Sequence, residues 1–174
     1  MSAEWLIAIS TAGTFVVIAA SAAAALLQLR HTRGSNQIVA LTECREKLES
    51  EEFQNAREFL MTSVPRLLAD PSVRAKLSDP IFPSELRPAG TVANFFESMG
   101  AFVRFNIIDK TIACDLWCAV VVSSWDAILP VTRIVRVENP GVWENFEYLA
   151  ALSQDFMIRH PSSYPPGMRR MPLE

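Results

Sequence analysis

The sequence is poor in the residues that most reactions need. Among 174 residues there are two histidines, three cysteines and two tyrosines. His31 and His160 are remote from each other, and neither has a cysteine or carboxylate nearby at ligand spacing. Zinc requires four protein ligands, or three and a water. Cys114 and Cys118, four apart, share one helix face and begin such a site without completing it. Buried cysteines of this kind often serve as small apolar side chains. No H-E-x-x-H, C-x-x-C, P-loop, G-x-G-x-x-G or G-x-S-x-G run occurs, which removes the common signatures of metalloproteases, redox centres, nucleotide sites and α/β-hydrolases. The expectation is therefore no catalytic residue, no cofactor and no metal. Hairpin signals are missing as well: there is no Asn-Gly or Asp-Gly and no strictly alternating run. Positive charge is not in excess, with 16 Lys and Arg against 19 Asp and Glu. A nucleic-acid binder would carry a basic footprint, so no nucleic-acid partner is expected.

What the chain does have is one long uncharged stretch. Trp5–Leu29 contains no Asp, Glu, Lys or Arg, and 19 of its 25 residues are apolar. As a helix it would rise about 37 Å, enough to cross a hydrocarbon core of ~30 Å. A secretory signal wants a basic start and a shorter apolar core; here Met-Ser-Ala-Glu precedes, and the core is too long. Residues 5–29 are therefore expected to be a transmembrane helix. Glu4 stands before it, and Arg30, His31 and Arg33 follow. Positive residues stay in the cytoplasm, which predicts an external N-terminus and a cytosolic C-terminal part, in a bacterial inner membrane. Trp5 would anchor at the outer interface.

The composition of that stretch points to a partner. Thirteen of the 25 residues are Gly, Ala, Ser or Thr, and helices in lipid associate through close backbone packing that small side chains permit. The expected face is Ala8, Ala12, Gly13, Ala19, Ala20 and Ala23, set against lipid, a larger integral membrane protein or a second copy. An alanine-rich anchor with no partner has the same composition.

Residues 36–160 read as one all-α cytosolic domain. Gly34-Ser35-Asn36 is expected to be a hinge. Ser50 has N-cap chemistry, with Glu51 and Glu52 following in the first turn. Five prolines between 64 and 90 (Pro65, Pro71, Pro80, Pro83 and Pro88) limit that region to short turns. Val92, Phe95, Phe96, Met99, Phe102 and Val103 form a full helical stripe, from which Asn94, Glu97, Ser98 and Arg104 point away. Asp109 is expected to cap the next helix and Pro130 to kink or break it. Val120, Val121 and Val122 leave a strand open as an alternative. Asn139-Pro140 looks like a cap before a last helix that ends at His160. Residues 161–174 form a proline-rich tail in which Tyr164, Arg169 and Arg170 are candidate contacts for a partner or for lipid headgroups.

The residues Val92, Asn94, Phe95, Phe96 and Glu97, then Ile107 and Asp109, Trp125, Arg133, and Asn139 through Ala150, resemble a widespread bacterial domain of unknown function. The resemblance covers about residues 36–160. It implies one N-terminal membrane helix followed by a compact helical domain, and it supplies no catalytic residues to carry over.

Two functional expectations follow. The first is a non-enzymatic, single-pass accessory or scaffold subunit. The second is a membrane-tethered sensor or effector that binds a small anionic ligand at Glu97, Arg104, Arg133 and Arg136. A hydrolase built on Glu144 and Glu147 is a weaker third, because acids three apart on an exposed helix face are usually only solvated.

Overall fold

The structure is a computed structural model that describes residues 3–79, 81–162, 164 and 167–171; the side chains of 4–9, 29–31 and 33 lie outside that description. Helix α1 spans Ala3–Glu49. Its residues up to Ala40 form one unit, and Leu41 onward forms a second. The expected hinge at Gly34-Ser35-Asn36 does not form, and those residues are helical. A single helical glycine costs only about 1 kcal/mol, too little by itself to break so long a helix. Within α1, Ser10–Gln28 has a mean hydropathy of 1.8, and every side chain in it is exposed.

The second unit is an all-α bundle, with no strand among the described residues. Its main helices are α2 (Glu51–Thr62), α5 (Arg87–Arg104), α6 (Lys110–Glu138) and α7 (Glu144–Arg159). The polar starts expected for two of them are present. Ser50 Oγ accepts the Phe53 amide at 3.3 Å, and Asp109 accepts the amides of Thr111 and Ile112 at 2.8 and 3.1 Å. Between α2 and α5 run the short helices α3 (Val64–Leu67) and α4 (Pro71–Lys76) and a 3-10 turn at Ser84–Leu86. Pro65, Pro71 and Pro88 each sit in a first helical turn, where the missing N–H costs nothing. Val64, Val73, Leu77 and Leu86 bury this region against the bundle.

The centre is a chain of aromatic rings that joins all four main helices. Phe53 of α2 meets Phe95 and Phe96 of α5 edge-on, at 4.9 and 5.9 Å between centroids. Phe96 stacks on Phe146 of α7 at 5.0 Å, and Trp125 of α6 meets Phe146 at 5.1 Å. Such pairs add roughly 0.5–1.5 kcal/mol each beyond the area they bury. Polar contacts are few inside the bundle. The fully buried Ser124 is partnered by Arg57, which also donates to Ser123 at 2.9 Å and so ties α2 to α6.

Two further expectations are corrected. Helix α6 passes through Pro130 without a break. Pro130 is exposed, while buried Ile128, Val131 and Thr132 hold the helix on either side of it. Helix α7 starts at Glu144 rather than at Pro140. Asn139 instead ends α6, with its amide on the Val135 carbonyl at 3.0 Å, and residues 140–143 form a turn.

Gly100 marks the closest approach of α5 to α7. A Cβ there would overlap the Asn145 carbonyl oxygen and stand 2.6 Å from its carbonyl carbon. Backbone cannot swing aside as a side chain does. Gly100→Ala is expected to lower unfolding stability by about 2–3 kcal/mol. Gly141→Ala, with nothing nearer than the Asn139 side chain at 3.9 Å, is expected to stay within ~0.5 kcal/mol. Denaturant midpoints of the two variants check the contrast, and equal midpoints would contradict this packing.

Candidate functional site

The polar face of α5 is used to dock α7. Asn94, Glu97, Gly100 and Arg104 recur at helical spacing, and all four meet the segment 143–146. Trp143 Nε1 donates to Asn94 Oδ1 at 2.9 Å. Glu97 accepts the Asn145 side-chain amide at 2.7 Å and the Phe146 backbone amide at 2.8 Å. Arg104 donates to Asn145 Oδ1 at 3.1 Å. The first turn of a helix leaves backbone N–H groups unpaired. The residue at the cap position of α7, Trp143, supplies no side-chain bond. Glu97, 49 residues before Phe146, supplies it instead, and a carboxylate there also suits the helix dipole.

This geometry disperses the expected anion-binding cluster. Glu97 and Arg104 are engaged by α7. Arg136 donates from Nε to the Val142 carbonyl at 2.8 Å and pairs with Glu147 at 2.5 Å. Its guanidinium also lies 5.7 Å from the Trp125 ring centroid. Arg133 is exposed and joins none of these contacts. None of the four lines the two main pockets among the described residues, and Glu97 and Arg104 serve helix docking. Glu147 is likewise an ion-pair partner and is not poised beside Glu144.

The cavity lies elsewhere, and sequence reasoning missed it. A half-open cleft of about 840 Å³ separates α5 from the end of α6, within the size range of small-molecule sites. Arg87, Thr91 and Asn94 form its α5 wall. Val135, Glu138 and Asn139 form the α6 wall, with Val142 and Trp143 following in the turn. Leu77, Asp79 and Phe82 close the third side. Phe82 and Trp143 meet edge-on at 6.0 Å, and Phe82 covers Gly90, where a Cβ would come within 3.1 Å of the ring. Trp143 has φ +56°, a left-handed backbone that bulky residues rarely adopt. That conformation costs of order 1–3 kcal/mol and is held here by the indole contacts to Phe82 and Asn94. The only signal in the sequence was indirect, namely apolar residues among the prolines of 64–90.

The remaining candidates separate clearly. Burial, with Glu43 beside it, pushes the Cys44 thiol up to about 11, and burial raises Cys114 as well. Among the described residues no group of three or more potential metal ligands gathers. In the tail, Tyr164 donates to the Arg169 carbonyl at 2.6 Å and lies under the Arg170 guanidinium, 5.1 Å from its ring centroid. Those three residues contact one another locally. On α1, Ala12, Gly13, Ala19, Ala20 and Ala23 are exposed, and a Cβ at Gly13 would meet nothing within 4 Å. The side chains of Ala8, Glu4, Trp5, Arg30, His31 and Arg33 lie outside the described residues.

A family model described as a domain of unknown function, DUF4760, matches residues 15–153. No curated protein and no solved structure matches the chain.

Two measurements check the assignment of these side chains. Glu97→Ala leaves the Phe146 amide without a partner and is expected to destabilise by about 2–3 kcal/mol, the scale for hydrogen bonds to a charged group. Arg133→Ala is expected to change stability by less than ~0.5 kcal/mol. Separately, alkylation of the folded protein at neutral pH is expected to modify Cys118 before Cys44 and Cys114, because reaction needs an accessible thiolate. Mass spectrometry of the labelled peptides reads the order.

Proposed function

The chain belongs to the DUF4760 family, a domain of unknown function, and we infer its role from its own parts. We propose that it is a single-pass membrane protein of the bacterial inner membrane. Its N-terminus is outside, its helical domain is cytosolic, and it acts as an accessory or scaffold subunit rather than an enzyme. The observation that carries this reading is the stretch Ser10–Gln28, 19 residues long, apolar, and exposed at every position. Apolar surface of that extent calls for a non-aqueous surrounding. Thr14 in that stretch is satisfied within the helix, since its Oγ1 donates to the Ser10 carbonyl at 2.9 Å. That arrangement suits hydrocarbon, where unpaired polar groups are costly.

Helix α6 passes the same test of length and composition, but it is a wall of the bundle. Val121, Ile128 and Val131 are buried and Ser124 is held by Arg57, so it is read as a core helix. The small residues Ala12, Gly13, Ala19, Ala20 and Ala23 support close contact of α1 with another helix, either of a larger membrane protein or of a second copy. The scarcity of catalytic groups in the sequence supports the non-enzymatic role.

A second reading, a tethered domain that binds a small ligand, is favoured by one observation. The 840 Å³ cleft carries apolar and charged walls together. In this reading the site is the cleft and not the dispersed arginines.

The combined variant Ala12→Leu, Gly13→Leu and Ala20→Leu keeps the stretch apolar while filling its groove. It is expected to reduce partner recovery or self-association in mild detergent by at least about tenfold, equivalent to some 1.4 kcal/mol. Unchanged co-purifying proteins and an unchanged oligomeric state would overturn the intramembrane contact. Protease digestion of the bundle from the outer side of sealed vesicles would overturn the orientation.

A further inference from the structure

The charges that line the cleft are of both signs; Asp79 also acts on Lys76 at longer range, and Arg87 borders a second pocket shared with Glu52. Arg87 projects from the start of α5, Asp79 from the turn after α4, and Glu138 from the last turn of α6. Among the described residues no ion pair or side-chain hydrogen bond engages any of the three. Opposite charges that share a cavity attract, and would pair if the walls closed. Here the cleft holds Arg87 more than 4 Å from both acids.

The rest of the lining belongs to the same three sides. On the Arg87 side, Asn94 has committed its Oδ1 to the Trp143 indole, which leaves its amide N–H donors for something in the cleft. Donors and a guanidinium on one wall suit a carboxylate. On the α6 wall, a 29-residue helix ends at Glu138 and carries partial negative charge. That end with Glu138, and Asp79 on the third side, suit an ammonium group. The lining also carries apolar surface, from Leu77, Phe82, Val135 and Val142.

We propose that the cleft binds a zwitterion with an apolar body, of the α-amino acid or short-peptide class. The ligand's carboxylate sits at Arg87 and Asn94, its ammonium at Glu138 and Asp79, and its side chain lies against Phe82 and Val135. The inference deepens the second reading above, that the helical domain is a binding module.

The test uses the full chain in nanodiscs and isothermal titration with four probes. Leucine and the dipeptide Leu-Leu carry both charges, N-acetylleucine lacks the ammonium, and leucinamide lacks the carboxylate. Leucine or Leu-Leu is expected to bind with Kd below about 1 mM, and the tighter of the two identifies the source, free amino acid or peptide. Blocking either charge is expected to weaken binding at least about tenfold. Arg87→Gln is expected to abolish the discrimination against leucinamide while keeping that against N-acetylleucine. Glu138→Gln combined with Asp79→Asn is expected to do the reverse. These side chains are exposed, and an unchanged thermal midpoint confirms that the variants fold. If N-acetylleucine or leucinamide binds as tightly as leucine, the zwitterion is overturned and the binding module stands. If none of the four probes binds, both are overturned.

Discussion

The close approach of α5 and α7 is the constraint on which the bundle depends. It is possible only because residue 100 has no side chain, so that the Asn145 backbone can lie directly against it. Once the helices are that near, Glu97 reaches the Phe146 amide and Arg104 reaches Asn145. The same contact brings Phe146 onto Phe96 and so connects α7 to the ring chain running through α2 and α6. Packing and polar satisfaction are here one arrangement, since neither Glu97 nor Phe146 finds its partner unless the backbones touch.

The turn before α7 follows from that docking. Trp143 must lead into a helix whose start is fixed on α5, while Asn139 must end a helix on the other side of the cleft. Four residues make the connection, and the left-handed backbone at Trp143 accomplishes the change of direction. Arg136 grips the inside of the turn through the Val142 carbonyl and Glu147. The turn therefore bridges from α6 to α5 without filling the space between them, and the cleft is that unfilled space. A strained tryptophan in a cavity wall is the kind of local departure that tends to accompany function.

Much of the fold was legible in the sequence because it rests on local rules. Ser50 and Asp109 cap the helices that follow them. The stripe from Val92 to Val103 is buried along its length, with only Phe95 and Phe102 partly open. His160 ends α7. The misses share a cause, in that the deciding partner is distant in sequence. Pro130 fails to break α6 because the core holds both flanks. Asn139-Pro140 fails to start α7 because Glu97 supplies a better cap further on. Gly34 fails as a hinge because one weak helix former does not outweigh its neighbours. The candidate site was the least legible part. Glu97, Arg104, Arg133 and Arg136 were singled out as a candidate anion site; Glu97, Arg104 and Arg136 are instead fasteners to α7 and the turn before it, and Arg133 joins none of these contacts. The cleft draws on three separate stretches of chain, none with a motif of its own.

Having its cap on another helix gives α7 a place in time as well as in space. During vectorial synthesis Glu97 leaves the ribosome 49 residues ahead of Phe146, so the acceptor is already present when the last helix emerges. Until then α5 exposes Phe96 and a carboxylate without its amide partner. The bundle thus stays open along one side until α7 has been made, and a nascent chain stalled before Glu144 would present that aromatic seam to chaperones.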